Sequence, residues 1–156
     1  MDTPFNMIIG RKTACGKTHY MLEILERDYM KHFESNILLC PTFEWNKTYY
    51  EWRYRDDLDF PAIPCDEDDI DLVLKHVVDL IKGSNTLIIL DDCASGQDIK
   101  NRTSEVVKLE FSARHYGLST IINYYYAAVN LSGEAVSREH LEVGSVLHFE
   151  LAVFYT

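Results

Sequence analysis

The segment Gly10-Arg11-Lys12-Thr13-Ala14-Cys15-Gly16-Lys17-Thr18 has the residue types of a polyphosphate cradle. Consecutive backbone N–H groups leading into a helix N-terminus make a positive pocket for an anion. Gly16 permits close backbone approach, Lys17 would set its ammonium against the β and γ phosphates, and Thr18 would offer its hydroxyl to Mg²⁺. Arg11, Lys12, Thr13, Ala14, Cys15, Gly16, Lys17 and Thr18 are therefore the expected nucleotide-binding set, with ATP and Mg²⁺ as cofactors. The motif G-x-x-x-x-G-K-[ST] wants glycine where Arg11 stands. Gly10 lies one residue earlier, so the loop is one residue longer than the pattern.

A second chemical signal is Asp91-Asp92, which closes the apolar run Thr86-Leu87-Ile88-Ile89-Leu90. A carboxylate at the end of a strand can hold Mg²⁺ directly or through water, so Asp91 is the expected metal residue together with Thr18. Asp92 is expected to act with Lys17 in catalysis, orienting or deprotonating an attacking water. Asn123, with Ser119 and Thr120, is a weaker candidate as a polar sensor of the γ-phosphate. Arg114 could serve a neighbouring subunit as an arginine finger, although a surface role is the plainer reading. Cys15, Cys40, Cys65 and Cys93 contain no C-x-x-C pair, and reduced thiols are expected. Cys15, at a helix N-terminus, could make nucleotide binding sensitive to oxidation, although a coincidental placement is the preferred reading.

Alternating elements must carry these groups. Phe5–Ile9, Asn36–Cys40, Phe60–Cys65, Thr86–Leu90 and Ser119–Asn123 read as strands. Lys17–His32, the stretch from Asp66 to Ile81 and Asp98–Tyr116 read as helices, with Gly83 and Gly117 as terminators. Candidate buried helix positions are Ile70, Leu72, Val73, Val77, Val78, Leu80 and Ile81, then Val106, Val107, Leu109, Phe111 and Ala113. Towards the C-terminus, Ser132–Glu142 looks helical and Val146–Tyr155 strand-like. The expectation is one α/β domain over residues 1–156, with a mainly parallel central sheet between helices in the three-layer manner of P-loop NTPases. Its ligand belongs at the carboxyl edge of the strands.

The chain has 156 residues, a formal net charge of −10 and a pI near 4.9. That balance excludes a surface given over wholly to nucleic acid. Lys47 and Arg53 to Arg55, among Trp45, Tyr49, Tyr50, Trp52 and Tyr54, come nearest to a basic stripe with interleaved aromatics, and a buried aromatic cluster is the preferred reading. The acidic runs Asp56–Asp59 and Asp66–Asp71 are expected to be solvated. No long apolar run and no basic-then-apolar leader is evident, so no membrane partner and an intracellular location, cytoplasmic or in a viral factory or virion, are expected.

Gly10-Arg11, Ala14-Cys15-Gly16-Lys17-Thr18, Cys40-Pro41-Thr42, Leu87-Ile88-Ile89-Leu90-Asp91-Asp92 and Ser112-Ala113-Arg114-His115-Tyr116-Gly117-Leu118-Ser119 together resemble poxvirus-type genome-packaging ATPases of the FtsK/HerA lineage. The likeness spans about residues 5–122; residues 127–156 resemble nothing in that family. It implies an additional-strand ATPase that assembles as a homo-oligomeric ring and moves double-stranded DNA. Lys17 and Thr18 would then serve the nucleotide, Asp91 the Mg²⁺ and Asp92 the water. One departure stands out: the family closes its sensor strand with a Thr/Gln pair, whereas this chain reads Asn123-Tyr124-Tyr125-Tyr126. A DNA motor, a nucleotide-binding module with little turnover and a small-molecule kinase are the competing functions, and the motor is favoured.

Overall fold

Strands built from unbroken apolar residues are stable only when both faces are covered, and the chain meets that demand. The computed structural model describes residues 4–11, 16–53, 61–93, 104–125, 138–143 and 147–155. Lys12, Thr13, Ala14 and Cys15, the acidic run 56–59, and residues 98–103 of the expected third helix lie outside the described residues. The strands are β1 (Phe5–Arg11), β2 (Ser35–Leu39), β3 (Ala62–Ile63), β4 (Thr86–Asp91), β5 (Ser119–Tyr125), β6 (Arg138–Val143) and β7 (Leu147–Tyr155). The helices are α1 (Lys17–Ile24), α2 (Lys47–Arg53), α3 (Ile70–Ile81) and α4 (Glu105–Ser112).

The sheet order is β3-β2-β4-β5-β1-β7-β6. β1 to β5 are mutually parallel, while β7 runs antiparallel to β1 and β6 antiparallel to β7. The α/β class with a mainly parallel sheet is thus as expected from the sequence. Alternation along each strand divides the core in two. Met7, Ile9, Leu38, Leu87, Ile89 and Ile121 pack with Tyr20, Met21 and Ile24 of α1 on one face. Ile8, Leu39, Ile88, Leu90 and Ile122 pack with Ile70 and Leu74 of α3 and Val106 and Leu109 of α4 on the other.

Several expectations are corrected. Arg138–Val143 is a strand, not the end of a helix, because it pairs antiparallel with β7 over all six residues. Leu72, Leu80 and Phe111 are 59%, 84% and 64% exposed. The buried stripe of α3 is Ile70, Leu74 and Val77, at the i, i+4, i+7 spacing of a single helical face. The first helix is α-helical only to Ile24, continuing through a π-type turn at Leu25–Tyr29 and a 3₁₀ turn at Met30–His32. Gly83 ends α3 with φ 81°, the left-handed conformation expected of a helix terminator.

Asp71, within a run expected to be solvated, is exposed yet accepts bonds from Glu105 N at 2.9 Å and Ser104 Oγ at 3.1 Å, so α3 helps cap α4. Among the described residues no helix is long and apolar enough to cross a membrane. The two-sided core makes a direct test possible. Ile89→Ala, at a fully buried position, should cost about 2–5 kcal/mol in urea unfolding, whereas Leu80→Ala should stay within about 0.5 kcal/mol of the parent.

Candidate functional site at the carboxyl edge of the sheet

Parallel pairing brings the ends of three strands level: Ile9 of β1 lies opposite Asn123 of β5, and Asn123 opposite Asp91 of β4. Beyond β1 the chain turns into α1 at Gly16, whose φ of 79° is the left-handed conformation that favours glycine. Lys17 and Thr18 follow as the first residues of α1, and the Lys17 side chain is buried. Thr18 Oγ1 donates to Asp91 Oδ2 at 3.0 Å across 73 residues of sequence.

Asp91 has no solvent exposure. Besides Thr18, it accepts from Tyr49 Oη of α2, again at Oδ2 and at 2.6 Å, and its Oδ1 accepts from Asn123 Nδ2. Burial pushes its carboxyl up to about 6, and the neighbouring Asp92 adds to the rise, while the three hydrogen bonds oppose it. Tyr49 is pushed above the usual tyrosine range, first by burial and then by the charge of Asp91. The Asn123 Oδ1 is buried and has no hydrogen-bond partner, an acceptor left open beside the carboxylate.

Asp92 differs from its neighbour in exposure and in backbone conformation. It is exposed, takes a positive φ of 55°, and accepts from Thr42 Oγ1 at 3.1 Å. Strained backbone of this kind is tolerated by Asp and is concentrated at functional sites. The structure therefore gathers Lys17, Thr18, Asp91, Asp92 and Asn123 at one edge. Arg11 is the last residue of β1, opposite Tyr125, and Lys12, Thr13, Ala14 and Cys15 lie outside the described residues. Arg114 is exposed in the turn leading into β5, at the opposite edge of the sheet.

Sequence reasoning missed Tyr49 and Thr42 as partners of the acidic pair. The aromatic stretch around α2 was their only signal, together with the Cys40-Pro41-Thr42 step. That stretch divides: Tyr49 is buried against Phe43, while Trp45 and Tyr50 are 86% and 58% exposed. Cys40 and Cys93 are buried free thiols; burial pushes Cys40 up to about 12 and raises Cys93 as well. A hollow of about 250 Å³ between α3 and α4 is lined by Lys75, Asp79, Lys82, Glu105 and Lys108, and none of the residues around Asp91 borders it.

Among the described residues no three or more His, Cys, Asp and Glu side chains converge as a metal cage. Mg²⁺ does not require one, since it keeps several waters and takes one or two carboxylates plus phosphate oxygens. A hydroxyl whose proton is directed to a carboxylate keeps its own lone pairs for a cation, so the donor set of Thr18 and Asp91 fits that ion. No protein-family model matches this chain, and no curated protein sequence matches it.

The raised carboxyl of Asp91 sets a pH dependence of stability. The folded state holds this proton up to about pH 6 and the unfolded state releases it near the ordinary carboxyl value of 3.8. Between those values the folded state binds more protons, so this group's contribution to stability falls as pH rises and stays low above about 6. Asp91→Asn removes the buried charge, and its NH₂ can meet Asn123 once that amide turns its open oxygen inward. The variant should be more stable than the parent at pH 7.5 by on the order of 3 kcal/mol, with the difference vanishing towards pH 4 in urea unfolding.

Proposed function

We propose that the chain binds ATP with Mg²⁺ at the carboxyl edge of its parallel sheet and is a Mg²⁺-dependent ATPase of the DNA-translocating, genome-packaging type, built on a P-loop NTPase fold. The observation that carries this reading is the Thr18–Asp91 bond of 3.0 Å. It brings the hydroxyl at the start of α1 beside the carboxylate at the end of β4, the two groups that would share a Mg²⁺ ion. The segment 11–16 would bind the phosphates, Lys17 would balance their charge, and Thr18 with Asp91 would hold the cation. Mg²⁺, when bound, neutralises charge developing on the phosphate oxygens.

Asp92, exposed and held by Thr42, would orient a water and accept its proton. Asn123 would be the polar sensor of the γ-phosphate. The position of β5 between β1 and β4 supports the additional-strand resemblance, from which double-stranded DNA and a homo-oligomeric ring follow as partners. A second reading, a nucleotide-binding module with little turnover, is favoured by one observation. β5 carries Asn123, Tyr124 and Tyr125 where the resemblance calls for a Thr/Gln pair.

ATP hydrolysis with Mg²⁺, measured with and without double-stranded DNA, separates these readings. Turnover should rise with DNA, fall about 100-fold or more in Asp92→Asn, and vanish with nucleotide binding in Lys17→Ala. Binding that needs Lys17 without turnover in any sample would leave the module, and no binding at all would sink both.

A further inference from the structure

We infer that Tyr49 is a positioning residue for the metal-binding carboxylate: its hydroxyl fixes the orientation in which Asp91 and Thr18 together receive Mg²⁺. The inference rests on the nucleotide-binding reading above and assigns to that site a residue outside both sequence motifs. Tyr49 is 3% exposed, and its ring lies 5.1 Å from that of Phe43. A phenylalanine would fill the same volume and keep the same ring contact. The hydroxyl is thus not needed for packing, and it bonds to the one fully buried carboxylate among the described residues, at 2.6 Å.

The bonding pattern around Asp91 explains what the hydroxyl does. Oδ2 receives both Tyr49 and Thr18, which use its two lone-pair directions, while Oδ1 receives Asn123. Rotation of the carboxylate would break bonds to α1, α2 and β5 together. Thr18 belongs to the phosphate turn and Asn123 to the neighbouring strand, so Tyr49 is the only one of the three whose removal leaves the remaining site residues untouched. With Oδ2 committed to two donors, Asp91 addresses the cation through the Thr18 oxygen and through water rather than by Oδ2 itself.

Local structure presents the hydroxyl at this point. Asn46 starts α2 by accepting Thr48 N on its side chain at 3.0 Å and Tyr49 N on its carbonyl at 3.0 Å. Tyr49 therefore lies in the first turn of α2, over the end of β4. Groups that orient a metal ligand from the next layer are typically worth 10–100-fold in metal affinity.

The test is the binding of a fluorescent ATP analogue to the full chain, titrated with Mg²⁺ and repeated in EDTA, for the parent, Tyr49→Phe and Phe43→Leu. Tyr49→Phe should raise the Mg²⁺ concentration for half-maximal binding about 10-fold or more, with affinity in EDTA unchanged. Phe43→Leu, which removes the ring's neighbour and keeps the hydroxyl, should lower the thermal midpoint and leave the Mg²⁺ requirement in place. Parental Mg²⁺ dependence in Tyr49→Phe, or an equal shift in both variants, overturns the inference while the nucleotide reading stands. A parent chain that binds no nucleotide overturns both.

Discussion

A buried carboxylate has to be surrounded by donors before the fold can tolerate it, and the arrangement at Asp91 constrains most of the molecule. Its three donors come from α1, α2 and β5, so the helix after β1, the helix after β2 and the strand beside β4 must all arrive at one point. The parallel register of β1, β5 and β4 achieves this, because it levels Ile9, Asn123 and Asp91 at the same edge. The two apolar clusters hold that register from either side. Desolvation works against the charge, which is why the carboxyl titrates near 6 in spite of its bonds.

Asp91 and Asp92 also show how adjacent identical residues acquire different chemistry. One is sealed among donors in the sheet, and the other is turned out of it by a left-handed backbone. Environment separates what the sequence leaves equivalent, a pattern typical of paired carboxylates with unlike tasks. Thr42 and Tyr49 reach the two acids from one stretch of chain that begins at the end of β2. The spacing of the pair is thereby tied to the path of a single segment.

The parts of this arrangement visible in the sequence are those governed by local rules. Thr86–Leu90 is a short run with four bulky apolar residues and no alternation, bounded by turn residues, as suits a strand covered on both faces. Lys17, Thr18 and Asp91 followed from turn and strand-end chemistry. Tyr49 and Thr42 did not, because neither belongs to a motif and an aromatic stretch fits a core equally well. Leu72, Leu80 and Phe111 misled for another reason: apolar residues surround most of α3 and α4, and only the phase of packing selects the inner face. Arg138–Val143 was misread because a strand sustained by a single later partner carries little local signal.

The strand order has a consequence for how the molecule is made. β1 precedes the other described strands in sequence, yet its two neighbours are β5 and β7, which follow it by more than a hundred residues. Its backbone stays unpaired until those strands exist, and closing such long loops comes late in folding. The turn into α1 therefore gains its rigid base only once β5 and β7 have been made, so a chain that lacks them holds the Lys17–Thr18 sequence without the geometry that gives it meaning.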